Sequence, residues 1–414
     1  MKRRWVYVVL SVFLMIFLLY SCTSPTGTNE GNKTNEVTIT IDREGAQRNA
    51  SFVAVQDGLE GTWKELTGSN GTYEYKVNDS AGVYSIVAVD EETGSDHFHT
   101  FLFHGTLAEA KTVNFEFKYD ESIDFARLSI TVPESYANAA VSVFFLKHEA
   151  PYNIPQDGKT VVELPKGSGE LVVVIHDLDT GAATKVYIDR AFSFQGDKSL
   201  TIEESKLKSF GKEIEGGDSE ITYYWVLSKT LVPGSVISNM KIPDEEVKSS
   251  DRYMAEYLQW GEPFINWWKV TKEGIPTTVT EGIKTLGSAA STISDTGTEN
   301  ELPKVSFNRY ESPITGYDVK YYNFDISKRI GTDPSPVGTH FITVTPGYLE
   351  KTDYVYTFPE ITLDNWKSTY NPVDNYVVQS LKICLSPNTI DQINSLAPGT
   401  EWTVFLSDLV GSTM

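Results

Sequence analysis

"GTYEYKVNDSAGVYSIVAVDEETG" (residues 71–94) alternates large and polar side chains, breaks at Asn78 to Gly82, turns apolar again and ends on acids and a glycine. Period-two alternation marks a half-buried strand, and the Asn, Asp and Gly between the runs are turn residues. The layout returns as "GKTVVELPKGSGELVVVIHDLDTG" (158–181), an offset of 158 − 71 = 87. Without a gap, Gly71 falls on Gly158, Gly82 on Gly169, Val87 on Val174, Asp90 on Asp177, and Thr93-Gly94 on Thr180-Gly181. Such self-similarity at one offset points to a tandem duplication of a structural unit.

Outward from these blocks, the first unit begins where Val37, Ile39 and Ile41 alternate with Thr38 and Thr40, and the second where Leu128, Ile130 and Val132 do the same. The units span 37–121 and 126–205, each with about seven short strands in about 90 residues, the arithmetic of a two-sheet sandwich. Their pattern resembles the immunoglobulin-like modules of bacterial surface proteins. The glycine, strand and acidic-turn block is also similar to the prealbumin-like modules appended to carboxypeptidases and surface adhesins. The cysteine-tryptophan-cysteine core of antibody domains is absent. The resemblance implies a spacer or a binding scaffold and no particular ligand.

Residues 206–220, with "GKEIEGGDSE", read as an acidic, Gly-rich linker, and 221–414 as an aromatic-rich β domain. Six of the eight tryptophans lie in this last region: Trp225, Trp260, Trp267, Trp268, Trp366 and Trp402. Between Asp244 and Gly274 the large apolar residues fall at helix-like spacings interrupted by Gly261 and Pro263, so one or two short helices are expected there. The Ser-, Thr- and Gly-rich stretch 276–304 reads as a long loop. Strands are expected at 304–307, 317–324, 339–344, 354–358, 377–385 and 401–406. The fold class is therefore mainly β: two tandem immunoglobulin-like β-sandwiches followed by a larger β-rich domain with short helical insertions. In this reading the paired sandwiches form a stalk beneath a C-terminal working end.

The chain opens with three cations, Lys2, Arg3 and Arg4, before an almost unbroken apolar run from Trp5 to Tyr20. That is the layout of an export signal, and the run is shorter than the roughly 20 residues usual for a membrane span. Leu19-Tyr20-Ser21-Cys22 resembles the lipobox of bacterial lipoprotein signals, departing from the common pattern at Tyr20. The resemblance implies a signal peptide over 1–22 and a diacylglyceryl group on the Cys22 thiol. Residues 23–36 (TSPTGTNEGNKTNE) contain no large apolar side chain and read as a flexible tether. A covalent lipid on Cys22 is the only prosthetic group expected.

The full chain carries a net charge of −21, and removal of the three signal cations takes it to −24. Phosphate backbones repel such a protein, which excludes nucleic acid as a partner class. The other cysteine, Cys384, has no mate once Cys22 carries lipid, so stability must come from apolar cores.

Candidate chemistry is sparse. His97 and His99 in "HFHTFLFH" stand two apart on an expected strand, as ligands of a transition metal could, but two aligned donors are too few for a built site. Asp90, Glu92, Asp177 and Asp179 fit hairpin turns better than calcium loops. Trp260, Trp267, Trp268 and Trp366 are candidate platforms for stacking sugar rings, against the plain reading as core. No Walker loop, dinucleotide fingerprint, H-E-x-x-H or nucleophile elbow occurs. The sequence thus points to a noncatalytic cell-envelope lipoprotein that faces outside the cytoplasm. It would be held to a membrane by its lipid and engage an envelope protein or polysaccharide. The alternatives are a glycan-binding lipoprotein of a carbohydrate uptake system and an unfamiliar extracytoplasmic hydrolase.

Overall fold

The computed structural model describes residues 35–43, 46–91, 97–117, 125–153, 155, 157–213, 221–237, 240–261, 264–272, 293–295, 301–329, 336–373, 376–396 and 400–407. It is 56% strand against 8% helix, so the chain is mainly β. The first unit comprises β1 (Glu36–Arg43), β2 (Ala46–Gln47), β3 (Phe52–Asp57), β4 (Trp63–Glu65), β5 (Thr72–Lys76), β6 (Val83–Glu91), β7 (Phe98–Thr106) and β8 (Thr112–Phe117). β1 lies between β5, antiparallel, and β8, parallel; β3 pairs with β4 and β6, and β6 with β7.

The second unit comprises β9 (Phe125–Thr131), β10 (Ala140–Phe145), β11 (His148–Asn153), β12 (Lys159–Pro165), β13 (Gly167–His176), β14 (Ala183–Phe194) and β15 (Lys198–Thr201). Its wiring is the same: β9 between β12 and β15, β10 with β11 and β13, and β13 with β14. Register repeats too. Thr40 stands between Thr72 and Asn114, as Thr131 stands between Lys159 and Thr201. Gly71 and Gly158 hold φ of +75° and +72° before the equivalent strands, a left-handed turn position that only glycine takes without strain.

The third region adds β16 (Ile221–Leu227), β17 (Thr230–Pro233), β18 (Arg252–Gly261), β19 (Phe264–Lys272), β20 (Ile293–Asp295), β21 (Lys304–Phe307), β22 (Asp318–Arg329) and β23 (Pro336–Val344). After the short helix α1 (Pro346–Lys351) come β24 (Val355–Thr357), β25 (Tyr376–Ser386), the helix α2 (Ile390–Asn394) and β26 (Glu401–Ser407). The helices expected between 244 and 274 are instead the β18–β19 hairpin, whose register runs from Tyr253↔Lys272 to Gly261↔Phe264. The apolar spacings there were compatible with a helix, but Tyr and Trp favour a pleated surface, and Gly261 with Pro263 marks the reversal between two strands. Most of the 276–304 loop lies outside the described residues; within it β20 pairs with β21.

The third region does not stand apart from the first unit as a separate domain. Its main strands continue the first unit's own sheet in the order β17-β16-β18-β19-β26-β25-β22-β23-β7-β6-β3-β4, twelve strands in all. The seam is parallel, β23 against β7, from Gly338↔Phe98 to Val344↔His104. Side chains reinforce it: Glu109 accepts from Thr345 Oγ1 and from Gly347 N (2.6 Å), and Asp391 of α2 accepts from Thr112 N (2.9 Å).

Burial on both sides explains the longest apolar runs. Alternate residues of β6 serve different cores: Tyr84, Ile86 and Ala88 pack with Val37, Ile39 and Phe115, and Val83, Val87 and Val89 pack with Phe324, Ile342 and Leu349. In β13, Leu171, Val173 and Ile175 fill the second sandwich, while Val172 and Val174 pack against Tyr223, Trp225 and Ala255 of the third region. A strand covered on both faces loses its alternation, and each fully buried Val or Ile contributes roughly 1.5–3 kcal/mol.

Candidate functional site

Trp366, one of the four sugar-platform candidates, is 7% exposed. Its indole donates to Asn371 Oδ1 (2.8 Å), and its ring packs at 5.8 Å from Phe52 and edge-on at 5.0 Å from Tyr370. A ring enclosed in this way offers no face to a sugar, so Trp366 is a core residue. Trp366→Ala is expected to cost about 3–5 kcal/mol and to lower the thermal midpoint accordingly. A midpoint equal to the parent's would contradict the burial.

Trp260 pairs with Ile265, Trp267 with Leu258 and Trp268 with Tyr257 in the β18–β19 hairpin. The side chains of these three tryptophans lie outside the described residues, as do Leu19, Tyr20, Ser21 and Cys22. His97 is exposed just before β7; His99 is half-buried within it, its ring 5.8 Å from that of Phe341. Among the described residues no group of three His, Cys, Asp or Glu side chains could hold a metal ion.

The two acidic turns differ. Asp177 Oδ1 accepts from Thr180 N (2.8 Å) and Thr180 Oγ1 (2.7 Å), which lowers the Asp177 pKa, and Gly181 follows at φ +71°. Asp90 instead sits inside β6, nearly buried, and meets Arg43 Nη2 at 2.5 Å. Glu92, Thr93 and Gly94 lie outside the described residues.

Several buried polar groups escaped the sequence reading. His104 lies within a core, with Nδ1 2.8 Å from Ser85 Oγ and its ring between those of Tyr348 and Tyr356. His340 on β23 has Nδ1 2.5 Å from Thr100 Oγ1 across the parallel seam. Burial pushes both imidazoles down to about 3, so at neutral pH each is uncharged. Lys269 and Glu256 form a buried pair (3.6 Å) on neighbouring strands. In the sequence the one usable signal was a charge inside an apolar run, as in "YMAEYLQW" and "NWWKVTK".

The surface carries an open groove of about 620 Å³ beside β14, between its residues 187–190 and the chain at 201–208. Tyr187, Asp189 and Arg190 line one side, and Glu203, Lys206 and Lys208 the other. Arg190 is fixed there: its guanidinium grips both carboxylate oxygens of Asp251 at 2.7 Å and donates to the Glu246 carbonyl at 2.5 Å. Such a bidentate pair is geometrically rigid, so the third region locks the groove's floor. Pairing of β14 with the facing segment is confined to one bridge, Val186↔Lys208. β7, the equivalent strand of the first unit, is covered along seven residues by β23.

Neither a protein-family model nor a curated protein matches this chain. Among solved structures it is similar to the Bacillus anthracis TIE protein, at 11% identity over 57% of this chain and 45% of that one, with a TM-score of 0.17. It is also similar to a candidate adhesin from Bacteroides ovatus, at 12% identity over 44% of this chain and 96% of that one, with a TM-score of 0.17. Likeness at this level carries no argument about function.

Proposed function

We propose that the chain is a lipid-anchored protein of the cell envelope whose work outside the cytoplasm is noncatalytic: binding or structural interaction. The observation that carries the binding role is the groove beside β14. It is open, lined by both signs of charge, and bounded by a strand whose outer edge is only bridged, a surface better suited to an extended polar segment of a partner than to enclosing a small substrate. Anchoring rests on the segment Leu19 to Cys22 and the polar tether behind it. Two or more acyl chains, at about 0.8 kcal/mol per buried methylene, hold a protein durably to a bilayer.

Both halves of the reading are testable in whole cells. Cys22→Ala is expected to abolish palmitate labelling and leave an unprocessed precursor; equal labelling of variant and parent would refute the anchor. A photoreactive residue in place of the exposed Lys206 is expected to form adducts with a foreign envelope component, while one in place of Val161, 56% exposed on β12, is not. Identical adduct patterns at the two positions would remove the groove from consideration.

A further inference from the structure

β12 is an edge strand: its described partner is β9 alone, on one side. Val132 N donates to the Gly158 carbonyl (2.9 Å) at the head of that ladder, and bonded pairs recur at every second residue of an antiparallel pair. The backbone groups of Thr160, Val162 and Leu164 therefore turn toward β9, and those of Lys159, Val161 and Glu163 turn outward. The side chains of these last three stand exposed on the outer face of the sheet, and Val161 is one of only three large apolar side chains so exposed among the described residues.

This edge is complementary to itself. Lys159 and Glu163 flank Val161 at equal distance along the strand, so an antiparallel copy centred on Val161 sets each lysine opposite a glutamate and valine opposite valine. Directly opposite side chains are neighbours, and opposite charges there attract where like charges repel. Moving the axis to either flanking residue would set Lys159 against Lys159 or Glu163 against Glu163, so charge fixes the register. Arg127 of β9, already 3.4 Å from Glu163, extends the row to Arg127, Glu163 and the copy's Lys159. Pro165 has no N–H to donate and ends the outward ladder. The first unit supplies the contrast: its equivalent edge strand, β5, has Thr72, Glu74 and Lys76 at the places of Lys159, Val161 and Glu163. The same pairing there would set Glu74 against its own copy.

We infer that two copies of this chain associate through β12, antiparallel about a twofold axis at Val161, joining their β12-β9-β15 sheets edge to edge. The backbone groups of Lys159 and Glu163 bond those of the opposing Glu163 and Lys159, and Val161 bonds its counterpart. Each copy has one such edge, so the assembly closes at two. Charges on an exposed edge commonly keep foreign strands away. A guard needs only one sign, which would repel every copy, whereas opposite charges set evenly about an apolar centre admit the strand itself. So short an edge buries less than the roughly 1,200 Å² at which stable interfaces begin, so the association is weak in dilute solution and is best read by trapping. The site is separate from the groove beside β14 and stands or falls without it.

The test is covalent trapping of the full chain. With Val161→Cys, a short bismaleimide is expected to link two copies, because the paired Cα atoms stand about 5.5 Å apart. Cys384 is fully buried and does not compete. Leu178→Cys, 46% exposed in a turn of the same unit, is expected to give no linked dimer. Adding Lys159→Glu or Glu163→Lys to Val161→Cys sets like charges opposite one another and is expected to lose the linked dimer, with thermal melts unchanged because both side chains are exposed. Mixed together, these two charge variants are expected to link to each other and not to themselves, since each carries one sign at both positions and its partner the other. The inference is overturned if Val161→Cys gives no linked dimer, if Leu178→Cys links as well, if the charge variants link as before, or if their mixture fails to link.

Discussion

Acidification from pH 7 to pH 4 is expected to remove about 6 kcal/mol of folding stability through His104 and His340 alone, about 3 kcal/mol each. Both imidazoles are fully enclosed, and burial holds them down to about 3, against about 6.5 in an unfolded chain. Below pH 6.5 the unfolded chain binds protons that the native chain refuses. Stability is therefore complete above about 6.5 and falls as pH drops toward 3. Since a domain commonly has only about 5–15 kcal/mol in hand, these two residues place the acid transition within that window. Urea midpoints measured at successive pH values would register it as a steep decline. The double variant His104→Gln, His340→Gln should be less stable at pH 7, because Ser85 and Thr100 face altered partners, but should decline less between pH 6.5 and 4. Parallel curves for parent and variant would show that the histidines are not the titrating groups.

His340 also shows what a sequence reading could and could not reach. The strands were legible because their burial is periodic: Val113, Phe115 and Phe117 of β8 are buried while Thr112, Asn114 and Glu116, which alternate with them, are less so, and the written order of residues says as much. The repeat was legible because turn glycines such as Gly71 and Gly158 answer to local backbone geometry. Partnership was not legible. The seam that sets His340 against Thr100 joins residues 240 positions apart, and no spacing within either strand encodes it. One overlooked sign did exist. "VYSIVAV" and "LVVVI" fail to alternate, which in a free two-sheet sandwich would leave valines on the outer face, so a further layer had to cover them. The Arg190–Asp251 grip was invisible for the same reason as the seam: it becomes a site only when separate segments meet.

Glu256→Ala is expected to destabilise the chain by about 3–5 kcal/mol, because it leaves the Lys269 ammonium buried without the carboxylate that faces it. Glu256 on β18 and Lys269 on β19 are in direct register, and Lys269 is fully buried opposite the equally enclosed Trp402 of β26. Burial drives the Lys269 pKa down to about 8, against the opposing pull of Glu256. Between about pH 8 and 10.4 the unfolded chain holds a proton that the native lysine has released, so stability rises with pH through that window. The deficit below it is on the order of 3 kcal/mol. The pair should therefore be worth less than its parts suggest. Glu256→Leu with Lys269→Met fills similar space without charge and should leave stability at pH 7 close to the parent's or above it, while abolishing the alkaline rise. Thermal melts of the two single variants and the double variant at pH 7 and pH 9.5 close the cycle. Additive losses in the double variant, or an alkaline rise that survives in it, would mean that Glu256 and Lys269 act independently and that the titrating group lies elsewhere.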